Sequence, residues 1–319
     1  ERRAIMIYKK GDKYDLAARA GWLYYVAGYN QEEIANEFGI SRQSAQRMVS
    51  LSVSEKLIKV RLDHPIASCM KLASELKKKY SLKECEVIPS VTQEISTNVG
   101  LGQAGAQILE KYLESKEPLI IGLGTGKVLN MIANELSPIN GSQHKLLSLV
   151  GNMANDGSAS SHEVVSKIAD KTNATYYPMP LPLIVKTEEE RDLLHNQQST
   201  KNILALSEKV DISFVGIGQI DGTAPMYKDN FITEEELNSL LEAKAVGEII
   251  GWAFDINGNI IDGCTNKRLT SIPLKKNPEK LIIGIAAIQA KLTAIKAALE
   301  GKLINGLITN EMCAKALLA

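Results

Sequence analysis

Ile120-Ile121-Gly122-Leu123-Gly124-Thr125-Gly126-Lys127 is the stretch on which the reading of the fold turns. An apolar run of strand character breaks into glycines, and a helical stretch, Lys127–Leu136, begins at once. Such a turn offers bare backbone amides and the positive end of a helix, which together cradle an anion. Thr125 adds a hydroxyl and Lys127 a charge. The turn is not a Walker loop, because no Ser or Thr follows Lys127, and it lacks the third small residue of the dinucleotide pattern.

Outward from this turn the same alternation repeats. Apolar runs at Leu119–Leu123, Lys145–Val150, Ile212–Ile217, Ile249–Phe254, Leu281–Ala286 and Gly306–Thr309 predict strands. Between them, helices are predicted at Thr97–Leu113, Lys127–Leu136, Ser161–Asp170, Glu188–Leu194, Thr233–Leu241, Lys291–Leu299 and Met312–Leu318. Strands alternating with helices imply an α/β domain with a largely parallel sheet. Ligands of such sheets sit beyond the carboxyl ends of the strands. The ends supply Gly122, Gly124, Thr125, Gly126 and Lys127, then Asn152 and Asp156 after Val150, then Asp255, Lys291 and Asn310. Short polar side chains suit sugar hydroxyls and serve turns equally. Asp255 in particular reads both as a ligand for hydroxyls and as the carboxylate opening a hairpin at Asn257-Gly258.

No catalytic set emerges. None of His64, His144, His162 and His195 has a partner at metal-ligand spacing, and no Gly-x-Ser-x-Gly elbow occurs. Cys69, Cys85, Cys264 and Cys313 lie 16, 179 and 49 residues apart, which fits neither a zinc ribbon nor a disulfide framework. The expectation is binding without turnover, with no metal and no cofactor.

The first 65 residues differ in character. Of 37 basic and 37 acidic residues they hold 11 and 8, leaving 26 and 29 for the rest. Asn30 with Glu33 predicts a capped helix, Gly39 ends it, and Ser41 caps another. On that next helix Ala45, Met48, Val49 and Val53 form the apolar stripe, while Arg42, Gln43, Gln46, Arg47 and Ser50 share the opposite face. Arg and Gln pair with guanine and adenine edges in the major groove, so Ser41, Arg42, Gln43, Gln46 and Arg47 are the candidate DNA contacts of a helix-turn-helix. Leu57–Leu62 is expected to add a wing strand, with Lys59 and Arg61 toward phosphates. No apolar run of about 18 residues crosses a membrane, and the opening Glu1–Met6 lacks the apolar core of a secretory signal, so a cytoplasmic place is expected.

Taken together, these stretches resemble the SorC-type sugar-binding transcriptional regulators. The resemblance rests on Ala17–Tyr25, Gln31-Glu32-Glu33-Ile34-Ala35, Gly39-Ile40-Ser41-Arg42-Gln43, Ile121–Gly124, Val215–Gly218, Asp255–Gly258 and Leu307–Asn310, in that order. Leu23–Gly28 and Val60–Pro65 look like those of regulators of polyol operons. It implies a helix-turn-helix domain over residues 1–64 and an effector and oligomerisation domain over 65–319, similar to sugar-phosphate isomerases and glucosamine-phosphate deaminases but turned to sensing. It implies operator DNA, a sugar, polyol or sugar-phosphate effector and further copies of the chain (a tetramer or dimer of dimers) as partners. By position, Gly122 to Lys127 would face a phosphate, Asp255 would hold hydroxyls and Lys291 would balance charge. Ile288 and Asn310 depart from the glycine and aspartate of many relatives, leaving an unphosphorylated polyol open. The competing expectation is an isomerase or deaminase using Asp156 or Asp255 as base.

Overall fold

The computed structural model describes residues 12–60, 66–90, 94–151, 153 and 164–319. Chain contacts divide it into two units, residues 1–64 and 65–319.

The first unit is built from α1 (Asp12–Tyr25), α2 (Gln31–Phe38) and α3 (Arg42–Ser54). Their shared core is Ala20, Ile34, Ala35, Ala45 and Val49. The capping signals operate as the sequence predicts. Asn30 Oδ1 accepts from the Glu32 and Glu33 amides at 2.9 and 3.0 Å, while the Asn30 amide donates to Glu33 Oε2 at 2.7 Å. Gly39, at φ 64°, closes α2, and Ser41 Oγ accepts from the Ser44 amide at 3.2 Å to open α3. Gly21 admits α3 closely, since a Cβ there would stand 2.4 Å from Ser52 Oγ. Ser52 rather than Val53 is therefore the buried residue at the end of α3, and Val53 is exposed. The expected wing strand is not formed over Leu57–Val60, and Arg61 and Leu62 lie outside the described residues. Lys56 turns to φ 56°, and the amides of Leu57 and Ile58 both fold back onto the Ser52 carbonyl.

The second unit opens with α4 (Ala67–Tyr80), β1 (Glu84–Ile88), α5 (Glu94–Leu113), β2 (Ile120–Leu123), α6 (Lys127–Glu135), β3 (Lys145–Ser148), α7 (Val165–Thr172) and β4 (Thr175–Tyr177). It continues through α8 (Glu188–His195), α9 (Gln198–Ser207), β5 (Ile212–Gly216), β6 (Gly218–Gln219), α10 (Pro225–Lys228), α11 (Glu234–Glu242), β7 (Ala245–Ile249) and β8 (Trp252–Asp255). It ends with β9 (Leu281–Ile285), α12 (Leu292–Glu300), β10 (Gly306–Asn310) and α13 (Glu311–Leu318). Seven strands form a sheet in the order β1-β10-β9-β5-β2-β3-β4, every pairing parallel.

Alternate strand residues face two separate cores, as the pleat requires. Ile121, Leu146, Ile212, Phe214 and Ile308 enter the core shared with α5 and α6, while Leu147, Val215 and Leu307 enter the core on the other face. Strands β2, β3 and β4 step outward one way, and β5, β9 and β10 step the other. The winding thus reverses between β2 and β5, the place where open α/β sheets leave a crevice.

One predicted strand is wrong. Ile249–Phe254 is not a parallel strand but the tip of an antiparallel hairpin, β7 and β8, in a small sheet ordered β6-β7-β8. Ile250 and Gly251, at φ 47° and 88°, make the reversal. No helix among the described residues is long and apolar enough to cross a membrane.

Candidate functional site

Two surfaces qualify, one in each unit. In the first, Ser41, Arg42, Gln43, Gln46 and Arg47 are all exposed: Gln43, Gln46 and Arg47 on the side of α3 away from buried Ala45 and Val49, and Ser41 and Arg42 at its start. The arrangement is a row of forked donors on a helix anchored from behind, with no acid in its first turn.

In the second unit a cavity of about 470 Å³ opens at the carboxyl ends of β2, β5 and β9, within the size range of small-molecule sites. Thr125, Gly126 and Lys127 contribute from the turn after β2; Gly216 to Gln219 from the end of β5; and Ile285 to Ile288 with Lys291 from the end of β9. The hairpin tip adds Glu248, Ile250 and Gly251, and α5 adds Asn98 and Leu101. Gly126 is the N-cap of α6, at φ 109° and ψ 176°, and no side chain caps that helix. The helix start therefore turns its amide end and positive dipole to the cavity without a built-in acceptor.

The polar groups within the cavity are specific. Gln219 is buried; its Nε2 donates to Thr223 Oγ1 at 3.1 Å, while its Oε1 has no partner among the described residues. A buried carbonyl oxygen left unbonded is costly, and a hydroxyl donor is the group that would satisfy it. Glu248 Oε2 accepts from the Gly251 amide at 2.8 Å. Burial pushes the Glu248 carboxyl up, and the Gly251 amide and the Lys291 charge draw it partway back. Apolar Leu101, Val128, Ile217, Met226, Phe231 and Ile250 complete the walls. The size and groups of the chamber suit a small molecule carrying hydroxyls along a carbon chain, with room for an anionic end at Gly126.

Of the residues expected at the site, the structure brings Thr125, Gly126, Lys127 and Lys291 together. Gly122 serves packing inside β2, where a Cβ would meet Leu149 and Ser213 at 2.8 Å. Gly124 donates its amide to the Phe214 carbonyl at 2.8 Å and lies under Ile250. Neither Gly122 nor Gly124 lines the cavity. Asp255 lies at the opposite end of β8 from the hairpin tip, four residues or roughly 13 Å away at about 3.3 Å per residue. Its carboxylate is spent on the turn, accepting from the amides of Asn257 and Asn259 at 2.9 and 2.8 Å and from Asn259 Nδ2 at 3.1 Å. Burial alone would raise its pKa, but those donors and Lys276 hold it below the usual carboxylate range. Asn310 caps α13, its Oδ1 accepting from the Cys313 amide at 2.9 Å, on a strand set outside β9. Asn152 and Asp156 lie outside the described residues. His144 and His195 bond to the backbone carbonyls of Leu113 and Thr270 at 3.0 Å, both away from the cavity lining.

Gln219, Glu248 and Ile250 escape the sequence reading. Glu248 is a lone acid in the apolar run Ala245–Ile250, and Gly251 interrupts that run. Both are signals for a functional carboxylate at a tight reversal.

The Sugar-bind family model, which describes a sugar-binding domain, matches residues 64–319. The erythritol catabolism regulatory protein EryD of Brucella abortus is 30% identical over 303 residues, covering 95% of this chain and 96% of its own. The transcriptional regulator LsrR of Klebsiella pneumoniae is also 30% identical, over 96% of this chain and 93% of its own. The full-length sorbitol operon regulator SorC of K. pneumoniae superposes with a TM-score of 0.73 at 25% identity, covering 98% of this chain and 100% of that one. The chain belongs to this sugar-binding domain family and is a transcriptional regulator of carbohydrate catabolism.

Proposed function

We propose that α3 reads operator DNA while the cavity at the reversal between β2 and β5 binds a sugar, polyol or sugar phosphate, and that occupancy of the cavity changes the affinity for the operator. The observation that carries the effector reading is the cavity itself, where an uncapped helix start, the unpartnered Gln219 Oε1 and Lys291 converge. The DNA reading rests on the exposed row Ser41, Arg42, Gln43, Gln46 and Arg47, held as the second helix of a helix-turn-helix behind the Gly39 turn. EryD and SorC are named for erythritol catabolism and the sorbitol operon, which supports a linear polyol or its phosphate as the effector. Such readers commonly act on paired half-sites, so the working form is an oligomer of this chain, and the family resemblance supports a tetramer or dimer of dimers. The large unit is then an isomerase-like scaffold used for sensing.

The test is a thermal-shift screen of polyols, ketoses and their phosphates on the full chain, with light scattering for the assembly. The expected result is stabilisation by a member of this class, recovered chemically unchanged, and a particle larger than a monomer. One observation favours a second reading: Glu248, a carboxyl pushed up in a cavity, has the character of a general base. Turnover of the stabilising compound, lost in Glu248→Gln, would establish the enzyme instead.

A further inference from the structure

Ile250 occupies a backbone conformation that its side chain resists. Its φ is 47°, and every other described non-glycine residue with positive φ is unbranched at Cβ. Two-residue hairpin tips with both φ values positive favour Asn-Gly or Gly-Gly; Gly251 fits that pattern and a β-branched residue strains it. Such strain persists only where the surroundings impose it, and it collects at ligand clamps. Two contacts impose it here. The Gly251 amide is held by Glu248 Oε2 at 2.8 Å. The Ile250 side chain is only 8% exposed, and its Cγ2 lies 3.6 Å from where a Cβ on Gly124 would stand. Ile250 is thus pressed over the glycine-rich turn, beside the uncapped start of α6 and in the same cavity as the unpartnered Gln219 Oε1.

We propose that Ile250 is a specificity-determining residue of the cavity: as the apolar wall over the glycine-rich turn, it limits the length of hydroxylated carbon chain that an effector can place there. The proposal rests on the reading of the cavity as an effector site. A polyol presents C–H groups as well as hydroxyls, and an unpolar wall at this point meets the former while Gln219 and Glu248 meet the latter. Removing the wall opens space for further carbons. A methylene-sized change in such a pocket alters discrimination by about tenfold or more.

The experiment is calorimetric titration of the full chain and of Ile250→Ala and Ile250→Val with erythritol, ribitol, glucitol and the terminal monophosphate of each. Within whichever series binds, Ile250→Ala is expected to raise the six-carbon to four-carbon affinity ratio by about tenfold. Ile250→Val, which keeps the branched wall with one methyl fewer, is expected to raise it by less and remains informative if the alanine variant does not fold. An unchanged ratio in the folded variants overturns the role of Ile250 while leaving the effector site in place. Failure of all six compounds to bind the parent chain overturns this inference about polyol length, and the effector reading falls with it only if the ketoses and their phosphates fail in the thermal-shift screen too.

Discussion

At the scale of single residues, the cavity is organised by positions whose chemistry is out of the ordinary for their place. Gly126, at φ 109° and ψ 176°, occupies backbone space that only glycine enters freely. Gly126→Ala is expected to destabilise the large unit by ~1–3 kcal/mol in urea unfolding, and a change within error would show that the turn relaxes. Glu248 carries a pKa raised above its value in the unfolded chain, through burial first. A carboxyl so placed binds its proton more tightly when folded, so its contribution is full below the unfolded pKa of about 4.3. That contribution is lost as pH rises through the folded value. Glu248→Gln, which keeps an acceptor for the Gly251 amide, should therefore flatten the fall in melting temperature with rising pH. Parallel pH profiles for the two proteins would show that Glu248 does not titrate in this way. Asp255 makes the contrasting case: the same residue type, placed in a turn that supplies three donors, is structural.

At the scale of elements, what was legible in the sequence had a local cause. The box of Asn30 and Glu33, the Gly39 stop and the Ser41 cap each act within four residues, and all three are formed. The long apolar periods of α5, α6, α12 and α13 announced themselves for the same reason, being one face of a helix against a sheet. The misses had non-local causes. Helix α9 carries no side-chain cap and buries only Thr200 and Ile203, so little of it shows as pattern. The β7–β8 hairpin is apolar on both sides of its turn, and its turn residue is Ile where a turn former is expected. Reading it as one strand placed Asp255 at the site and left Glu248 out. Glu248 and Gly251 were the local signals of the reversal, while the packing against Gly124 and Gly218 that accompanies it lies far off in the chain. For α3, the buried back and exposed front separate stability from recognition. Gln43→Ala and Arg47→Ala are each expected to weaken specific DNA binding by ~1–3 kcal/mol, with stability changed by no more than about 0.5 kcal/mol at these exposed sites. Salt-controlled anisotropy on operator DNA measures the first and chemical denaturation the second. Unchanged affinity in both variants would remove this face from the interface.

At the scale of the whole molecule, the chain divides into a unit of 64 residues, the proposed DNA reader, and one of 255, the proposed sensor. The sensor inherits the crevice that any doubly wound sheet leaves where its winding reverses, and the chain furnishes that crevice with hydrogen-bonding groups and a helix start. A ligand shifts an operator equilibrium only by its differential affinity for the two functional states. Coupling of that kind is typically about 1–3 kcal/mol, or 5- to 150-fold in affinity. The central claim is therefore that one compound, bound in this cavity, changes the affinity of the N-terminal unit for DNA. The most direct measurement is operator affinity at fixed salt, with and without the compound found by thermal shift, for the parent chain and for Thr125→Glu. That substitution puts bulk and a negative charge at the helix start, in a unit separate from α3. The account predicts that the compound changes operator affinity at least about fivefold for the parent and not at all for Thr125→Glu, whose affinity without the compound matches the parent. A response that survives in Thr125→Glu, or a parent whose operator affinity ignores a compound it demonstrably binds, would contradict it.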